Sequence, residues 1–500
     1  MLRNIGSNWV LTAVTIAATY FITPFVIGAL GQDGYGTWTL ITAMTGYMSL
    51  LALGVPMACV RYLAQHVAEK DAQRTNEVIG SCLGLYLLLG AVSACVALPL
   101  AGALTSLYNI PAHLHTQAQI ACAVMAIQVS AGFVGLLPEG ILFAHHDFVV
   151  RNVVRIASVA VRLTLTFVLL AMQASLVYLA LVQLATLAFD FTAMLALIRR
   201  RYPEVRVRLG DFRRATVRRI FSFSMYVLLL AAGTRLSFET DALVIGAMLG
   251  VAAIPFYAVA NSLVVYLMDF TIAIAAVVAP MATKLNTEER HDELKAMFLK
   301  WSKISLSLTL MAGLFLIVLG PSFIGWWISP AYEGPSGAVL QILTISCLGF
   351  LPVRGVALPI LMGLGKPRTP TIAFVAAGVL NLILSLALAR PLGLAGVALG
   401  TAIPNALFAA VVLVVACREL HVSLSSYFAY VVPRAACGAI PPLALLLWFK
   451  LGLQVRNLPG LLVAGVAMLA VFGAVWTLYV YRGDPYVDVI PRRLRAWSRA

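Results

Sequence analysis

Apolar runs of about 20 residues recur along the whole chain, and short polar segments separate them. A helix of that length crosses roughly 30 Å of hydrocarbon, because each residue adds about 1.5 Å. Of the 500 residues, 61% are hydrophobic and only 11% are charged, and the mean hydropathy is +0.94. Soluble globular proteins do not have this composition. The sequence therefore predicts an all-α polytopic membrane protein.

The runs predict about fourteen transmembrane helices: two groups of six and two extra helices at the C-terminal end. The predicted spans are 8–30, 36–64, 78–107, 117–144, 149–172, 176–198, 220–249, 252–283, 304–328, 337–362, 371–389, 394–417, 428–449 and 458–481. The predicted domains are an N-terminal six-helix lobe (1–198), a cytoplasmic Arg-rich linker (199–219), a C-terminal six-helix lobe (220–417), two extra helices (418–481) and a basic cytoplasmic tail (482–500). The first apolar run is too long for a cleavable signal, so it is interpreted as the first span.

The two groups of six helices resemble each other, which predicts pseudo-symmetric lobes. VIGALG at 26–31 is similar to VIGAMLG at 244–250, and each ends the first span of its group. A charged loop also follows the second span of each group. Two such lobes, related by an axis along the membrane normal, form a central cavity between them, which is the common place for a transported substrate.

The basic residues are distributed very unevenly between the two sides of the membrane. Thirty Lys and Arg lie on the side of the Arg-rich linker, three lie on the other side (Arg390, Lys450 and Arg456), and two lie deep in spans. Because short basic loops stay in the cytoplasm, both termini are predicted to be cytoplasmic. The net charge is +15, and the basic residues that produce it lie between apolar runs. They therefore indicate topology and contacts with membrane lipids, and nucleic-acid binding is not expected.

Span seven carries three charges, Arg235, Glu239 and Asp241, directly after the nine arginines of the linker. An ionisable group near the bilayer centre costs roughly 3 kcal/mol or more unless it faces a partner or a wet cavity. Arg235 lies about sixteen residues into the span, close to the midplane. The sequence therefore predicts a polar interior. Because Arg235 and Glu239 are four residues apart, a local salt bridge is the alternative interpretation.

Four stretches resemble a known family. They are NWVLTAVTIAATYFITPFVIGALGQDGYGTWTL near the start, LGVPMACVRYLAQHVAEKD at 53–71, ETDALVIGAMLG at 239–250 and GLGKPRTPTIAFVAAGVLNLILSLALARPLGLAGVALGT at 363–401. Together they are similar to the oligosaccharide flippases of the polysaccharide-transporter type, in the superfamily that includes the multidrug and toxin extruders. The resemblance implies alternating-access transport of undecaprenyl-pyrophosphate-linked oligosaccharide from the cytoplasmic to the periplasmic leaflet of a bacterial inner membrane, through a cationic cavity.

A lipid pyrophosphate is anionic, and guanidinium groups match its oxygens with two parallel hydrogen bonds. The candidate substrate-binding residues are therefore the arginines in or near spans: Arg61, Arg235, Arg162 and Arg354. Other interpretations stay open for each of them. Arg61 and Arg354 are close enough to the cytoplasm to extend their side chains there, and Arg162 could pair with Asp190 inside the first lobe.

Four carboxylates in or near spans are candidates for ion coupling or for locking the lobes: Asp241, Glu239, Asp269 and Glu139. Asp241 is preferred for coupling because it lies about 9 Å outward of Arg235 along a straight helix, on another face than Glu239. Coupling to a proton or sodium gradient is one driving force, and consumption of the flipped product outside is the other. An anchoring role for Asp241 stays open as well.

Other functional classes fit the sequence less well. Every outer loop has only about a dozen residues or fewer, which leaves little room for an enzyme's active site, and no nucleotide-binding loop is present. The seven cysteines lie in or beside apolar segments without a CxxC pair, so neither a metal nor another cofactor is expected. The alternative is an ion-coupled multidrug extruder of the same fold, in which carboxylates and aromatic residues would bind organic cations. Other polysaccharide-assembly proteins are expected as partners of a flippase.

The charge asymmetry makes the topology testable. A reporter fused in the loop at Arg206 should lie in the cytoplasm, and a reporter fused at Glu333 should lie in the periplasm. Alkaline phosphatase and green fluorescent protein fusions measure the two sides. A periplasmic signal from the Arg206 fusion would contradict the whole count of spans.

Overall fold

The computed structural model describes residues 2–52, 54–223, 233, 235–236, 239–272 and 274–487. Its helices in the first half are α1 Leu2–Tyr47, α2 Val55–Ala68, α3 Ala72–Leu107, α4 His115–Ala144, α5 Phe148–Met172, α6 Leu176–Arg201, α7 Arg214–Phe223 and α8 Asp241–Met248. The helices of the second half are α9 Ile254–Ile272, α10 Ala275–Thr287, α11 His291–Val318, α12 Gly320–Trp327, α13 Pro330–Pro352, α14 Leu358–Gly363, α15 Arg368–Glu419, α16 Leu424–Val431, α17 Pro433–Leu447 and α18 Leu458–Val475.

Eleven helical stretches in this part of the chain are long and apolar enough to cross a membrane. Two of them each contain two predicted spans, because α1 bends at Gly31 and α15 bends at Gly393, where φ is 69° and 58°. Thirteen of the fourteen predicted spans are thus accounted for. The remaining one, span seven, lies largely outside the described residues. The prediction of an all-α polytopic membrane protein is confirmed.

The chain groups into two compact units. The first comprises Met1–Arg235 with Glu239–Pro255, and the second comprises Leu236–Phe238 with Phe256–Ala500. The predicted lobe boundaries at 198 and 220 stay a prediction, since much of span seven is not described. In each predicted group of six, the second span is interrupted. Span two changes to a 3-10 turn at Met48–Ala52 before α2, and span eight ends as α9 at Ile272 and resumes as α10 at Ala275.

Threonine hydroxyls along α1 have their hydrogen-bond donors occupied within the helix. Thr15, Thr19, Thr23 and Thr45 each donate to the carbonyl four residues earlier, at 2.8 to 3.0 Å. A polar side chain in an apolar helix needs such a partner because the bilayer core contains no water. The oxygen lone pairs of these threonines remain available as hydrogen-bond acceptors.

The Arg-rich linker is folded against α3 in the first unit. The Asn76 side chain donates to the carbonyl of Glu204 at 3.0 Å and accepts from the amide of Arg206 at 2.7 Å. Further along, the Ser81 hydroxyl accepts from the amide of Arg213 at 2.9 Å. Gly80 provides the space, since a Cβ atom there would lie 2.7 Å from the carbonyl oxygen of Arg208. The linker therefore has a fixed position on the first unit rather than a free one.

A carboxylate at the α4–α5 turn ties that turn to the end of α6. Asp147 accepts hydrogen bonds from Arg201 at 2.7 Å and from the Tyr202 hydroxyl at 2.5 Å. Burial raises the pKa of Asp147, but these two donors outweigh burial, and the net pKa lies below its ordinary value. The contribution of this contact to stability is therefore present above the ordinary aspartate range and is lost as pH falls below it.

Within the second unit, a buried ion pair attaches the end of the last two helices to α11. Lys303 of α11 is 1% exposed, and its Nζ lies 2.5 Å from a carboxylate oxygen of Asp484 and 3.2 Å from the carbonyl oxygen of Val480. The Tyr430 hydroxyl donates to the other Asp484 oxygen at 2.7 Å. Apolar side chains of α11 and α12 also pack against α17 and α18. The sequence did not predict this attachment, and it placed the start of span nine at 304, whereas α11 begins at His291.

Removing the cation of this pair should destabilise the second unit. Lys303→Met leaves the buried Asp484 carboxylate without its main partner, and we expect a loss of about 3–5 kcal/mol in the free energy of unfolding. The double variant Lys303→Met with Asp484→Leu should recover much of that loss. Lys295→Met, at a more exposed lysine of the same helix, is the control and should change the free energy by less than about 0.5 kcal/mol. Denaturant unfolding of the purified protein in detergent measures all three.

The same contact predicts a pH dependence. Burial raises the pKa of Asp484, but the hydrogen bonds from Lys303 and Tyr430 outweigh it and lower the net pKa. The stabilisation should persist above about pH 4, the ordinary value of an aspartate, and disappear at lower pH as the carboxylate is protonated. An equal free energy of unfolding for the native protein and Lys303→Met at neutral pH would contradict both expectations.

Candidate functional site

Two helix interruptions position candidate residues, and the first of them lies in span two. Helix α1 ends at Tyr47, the 3-10 turn follows, and Gly54 adopts φ 72°, a conformation that side chains with a Cβ rarely take. Helix α2 then starts with Pro56 in its first turn, where the missing amide proton costs nothing. Arg61 lies on α2 with an exposed side chain, and its guanidinium is 6.0 Å from the ring centre of Tyr62.

The second interruption lies in span seven, where the sequence predicted one continuous helix. That prediction is wrong at Glu239 and Thr240, which form a turn and a bend, and α8 begins at Asp241. The estimate that Asp241 lies about 9 Å outward of Arg235 assumed a straight helix and no longer applies. Asp241 is 3% exposed and occupies the first turn of α8, where the helix dipole favours a negative charge.

The two interruptions contact each other within the first unit. Arg235 forms an ion pair with Glu239 and donates a hydrogen bond to the Ser49 hydroxyl at 3.0 Å. The Tyr47 hydroxyl lies 3.3 Å from the carbonyl oxygen of Arg235 and is hydrogen-bonded to the Thr240 hydroxyl. The local salt bridge between Arg235 and Glu239 is thus formed, and its cation is also held by the end of span two.

Gly46 brings the end of α1 close to this ion pair. A Cβ atom at Gly46 would lie 3.2 Å from a carboxylate oxygen of Glu239 and 3.3 Å from a guanidinium nitrogen of Arg235. The pair is nevertheless accessible, because the side chains of Arg235 and Glu239 are 29% and 36% exposed. Discontinuous helices at membrane depth are tolerated where they line a cavity, and in transporters they frequently form the substrate or ion site. We call Tyr47, Ser49, Arg235, Glu239 and Thr240 the junction site.

Three residues of the junction site, Tyr47, Ser49 and Thr240, were missed by the sequence analysis. They carry no charge, and their spacing in the chain gives no sign that they meet. The available signal was the Gly54–Val55–Pro56 sequence in the middle of an apolar run, which is typical of an interrupted helix.

Glu139 belongs to a separate network inside the first unit. Its two carboxylate oxygens accept hydrogen bonds from Arg151 at 2.8 Å and from Arg155 at 3.0 Å. Arg155 also contacts Asp190 at 3.3 Å, and the Ser158 hydroxyl donates to Asp190 at 2.6 Å. Glu139 therefore joins α4 to α5, and Asp190 joins α5 to α6. The ion pair within 4 Å at Asp190 is formed by Arg155, and Arg162, the possible partner in the sequence, interacts with Asp190 only over a longer distance.

Arg162 lines a cavity of about 190 Å³ between α1, α5 and α6 of the first unit. Polar groups line much of it: Thr19, Thr23, Thr166 and Gln183. No acidic residue is among its described lining residues, and no carboxylate of the described chain lies within 4 Å of the Arg162 guanidinium. The junction site and this cavity share no residue.

Arg354 and Asp269 lie in the second unit. Arg354 is part of the π-helical turn Val353–Ala357, and its guanidinium lies 5.5 Å and 5.2 Å from the ring centres of Phe350 and Phe374. Such turns occur often at functional sites. Asp269 is exposed near the end of α9, and the positive charge of Arg354 acts on it. The ring contacts give Arg354 a packing role that does not depend on a ligand.

A large cavity in the second unit contains none of the candidate residues. It has a volume of about 620 Å³, lies between α13, α15 and α16 of the second unit, and is lined almost entirely by apolar side chains. None of its described lining residues carries a charge that could orient a substrate. Within the described residues, no group of three or more His, Cys, Asp or Glu side chains is arranged to hold a metal ion.

Comparison with known proteins supplies the family context. The profile of the family described as polysaccharide biosynthesis protein matches residues 1–286. A protein of Shigella flexneri that is provisionally named an O-antigen transporter is 21% identical over 390 residues, which are 76% of this chain and 88% of that protein.

Two solved structures have a similar fold. The lipid II flippase MurJ in an inward closed conformation aligns with a TM-score of 0.72 at 13% identity, over 95% of this chain and 99% of that one. An inward-facing multidrug resistance MATE family transporter of the MOP superfamily aligns with a TM-score of 0.71 at 16% identity, over 81% of this chain and 94% of that one. At these identities the likeness establishes a shared polytopic all-helical fold.

Proposed function

The chain belongs to the polysaccharide biosynthesis protein family, and on that basis we propose that it is a lipid-linked oligosaccharide flippase. Its substrate is an oligosaccharide on undecaprenyl pyrophosphate, and it moves this substrate from the cytoplasmic to the periplasmic leaflet of a bacterial inner membrane. It works by alternating access, with both termini in the cytoplasm. The similarity to a protein provisionally named an O-antigen transporter supports a role in surface polysaccharide assembly, beside other proteins of that process.

The observation that carries this proposal is the junction site. It combines a partly exposed arginine, two helix interruptions and several hydroxyl groups at membrane depth. A sugar-bearing pyrophosphate needs a cation for its phosphate oxygens and neutral hydrogen-bonding groups beside it. Arg235 supplies the cation, and Ser49 holds its guanidinium in place. Because Ser49 acts through Arg235, it is a positioning residue rather than a binding one.

Arg61 is the second proposed substrate ligand. It lies on α2, directly beyond the interruption that contributes Ser49, and its side chain is exposed. An exposed guanidinium toward the cytoplasmic end of a span can meet an anionic lipid headgroup before the substrate enters the membrane interior. Arg354 adds positive charge within the second unit and is proposed as a weaker contributor. Arg162 lines a cavity that shares no residue with the junction site, so no substrate contact is proposed for it.

A multidrug extruder of the same fold is the alternative, because the MATE likeness concerns the fold alone. Organic cations need carboxylates that are free to meet them. At the junction site the carboxylate of Glu239 is already paired with Arg235, so the ion pair opposes cation binding. The arginine therefore favours the anionic lipid substrate.

Replacing the proposed ligands should reduce transport strongly. Loss of a charge-assisted bidentate contact costs about 1.5–3 kcal/mol, so Arg235→Ala and Arg61→Ala should each lower transport of lipid-linked oligosaccharide by roughly tenfold or more at equal abundance. Lysine at either position should restore transport only partly, since it lacks the forked geometry. Reconstituted vesicles with a labelled lipid-linked oligosaccharide measure the rate. Arg74→Ala, at an exposed arginine of α3, is the matched control and should transport normally.

A double variant separates substrate binding from charge neutralisation. If Arg235 only neutralises Glu239, then Arg235→Ala together with Glu239→Ala should restore transport. If Arg235 binds pyrophosphate, the double variant should stay defective. Normal transport by the single alanine variants would remove both arginines from the mechanism. Uptake of an organic cation that survives in Arg235→Ala would instead support a drug extruder.

Asp241 is proposed as the coupling residue for a proton or sodium gradient. It is buried at the start of α8, next to the turn that follows the junction ion pair. A movement that changes its distance from Arg235 would change its affinity for a proton or a sodium ion. Transport in vesicles with an imposed gradient should be accelerated for the native protein and insensitive to the gradient in Asp241→Asn. A native rate that ignores both gradients would favour consumption of the product as the driving force.

A further inference from the structure

Helix α5 has one strongly polar face. Arg151, Arg155, Ser158 and Arg162 are spaced four, three and four residues apart, which places them on the same side of the helix. This face meets carboxylates of two neighbouring helices, Glu139 of α4 and Asp190 of α6. The whole arrangement lies inside the first unit.

The charges on this face do not balance. Both oxygens of Glu139 are bonded to arginines, Arg151 and Arg155. One oxygen of Asp190 accepts from Ser158 and the other contacts Arg155. Three arginines thus meet two carboxylates, and both carboxylates are occupied by groups other than Arg162. The charge of Asp190 also acts on Arg162 from beyond 4 Å, but across these three arginines and two carboxylates one positive charge remains in excess.

The residual charge lies beside the cavity of about 190 Å³ described above. An excess positive charge at membrane depth is costly, and this cost favours a counter-charge at the site. The amide of Gln183 adds hydrogen-bond donors, and the hydroxyl oxygens of Thr19 and Thr23 add only acceptors, since their protons are given to α1 carbonyls. None of the described residues that line the cavity is a carboxylate that could supply the negative charge.

We propose that this cavity is a binding site for one small inorganic anion, such as chloride or phosphate, held by Arg162 and Gln183. Pockets for drug-sized ligands have volumes of about 300–1,000 Å³, so this cavity has the size for an ion with water rather than for a sugar-bearing pyrophosphate. The site is distinct from the junction site and from the flipped substrate. A bound anion neutralises the third arginine of α5 and joins α1, α5 and α6.

Thermal unfolding of the purified protein in detergent tests the proposal. Ionic strength is held constant with sodium gluconate, whose anion is much bulkier than chloride or phosphate, and sodium chloride or sodium phosphate replaces it stepwise. The native protein should show a saturable rise of a few degrees in Tm with at least one of the small anions, since a ligand that binds only the folded state stabilises it. The rise should disappear in Arg162→Gln, shrink in Arg162→Lys and weaken in Gln183→Leu.

Arg74→Gln removes an exposed arginine and should keep the full anion-dependent rise. No saturable rise in the native protein, or an equal rise in Arg162→Gln, would overturn the proposal. If Arg162→Gln does not fold, crystals of the native protein soaked in bromide decide the question. An anomalous peak beside the Arg162 guanidinium supports the site, and its absence contradicts it.

The experiment uses no lipid substrate and no transport assay. A failure here leaves the flippase proposal unaffected, and a failure of the Arg235 variants leaves the anion site unaffected.

Discussion

The hydrocarbon core of a membrane offers no water to a buried charge, and the polar contacts of this chain follow from that constraint. Lys303 is buried against Asp484, and Glu139 is bonded to two arginines. Apolar helices gain little from the hydrophobic effect when lipid is the alternative neighbour. These charged contacts therefore do what an apolar core does in a soluble protein: they specify which helices lie side by side.

The same constraint acts on the backbone. An interrupted helix exposes amides and carbonyls that hydrocarbon cannot satisfy. Interruptions therefore persist only where side chains or the water of a cavity form hydrogen bonds with these groups. In the first unit, the hydroxyl of Tyr47 lies near the carbonyl of Arg235, and the Ser49 hydroxyl accepts a hydrogen bond from the Arg235 guanidinium. Two interruptions that are remote in sequence thus stabilise each other. The junction site differs from the Lys303 contact in access, since Arg235 is 29% exposed and Lys303 only 1%.

The sequence predicted the fold more completely than the site. Apolar runs and basic loops are local signals, and thirteen of fourteen spans follow from them. The interruption at Gly54 had a local signal in Gly54–Val55–Pro56, but the one at Glu239 and Thr240 had none. The partner of Asp190 could not be predicted, because it depends on how α5 is rotated against α6. The spacing of Arg151, Arg155, Ser158 and Arg162 was nevertheless visible, and it indicates a polar face that needs carboxylates opposite.

The ion pair at the junction site also bears on how a flippase could release its substrate. An arginine without a carboxylate would bind pyrophosphate tightly and would give it up slowly, which is unfavourable for transport. Glu239 lies one helical turn from Arg235, so pyrophosphate has to displace it to reach the guanidinium, and Glu239 can return when the substrate leaves. The substrate-bound and substrate-free states then differ in which anion, pyrophosphate or the Glu239 carboxylate, pairs with Arg235. In neither state is Arg235 left without an anion. Under the proposed function, the local salt bridge and the substrate contact are therefore successive states of the same arginine.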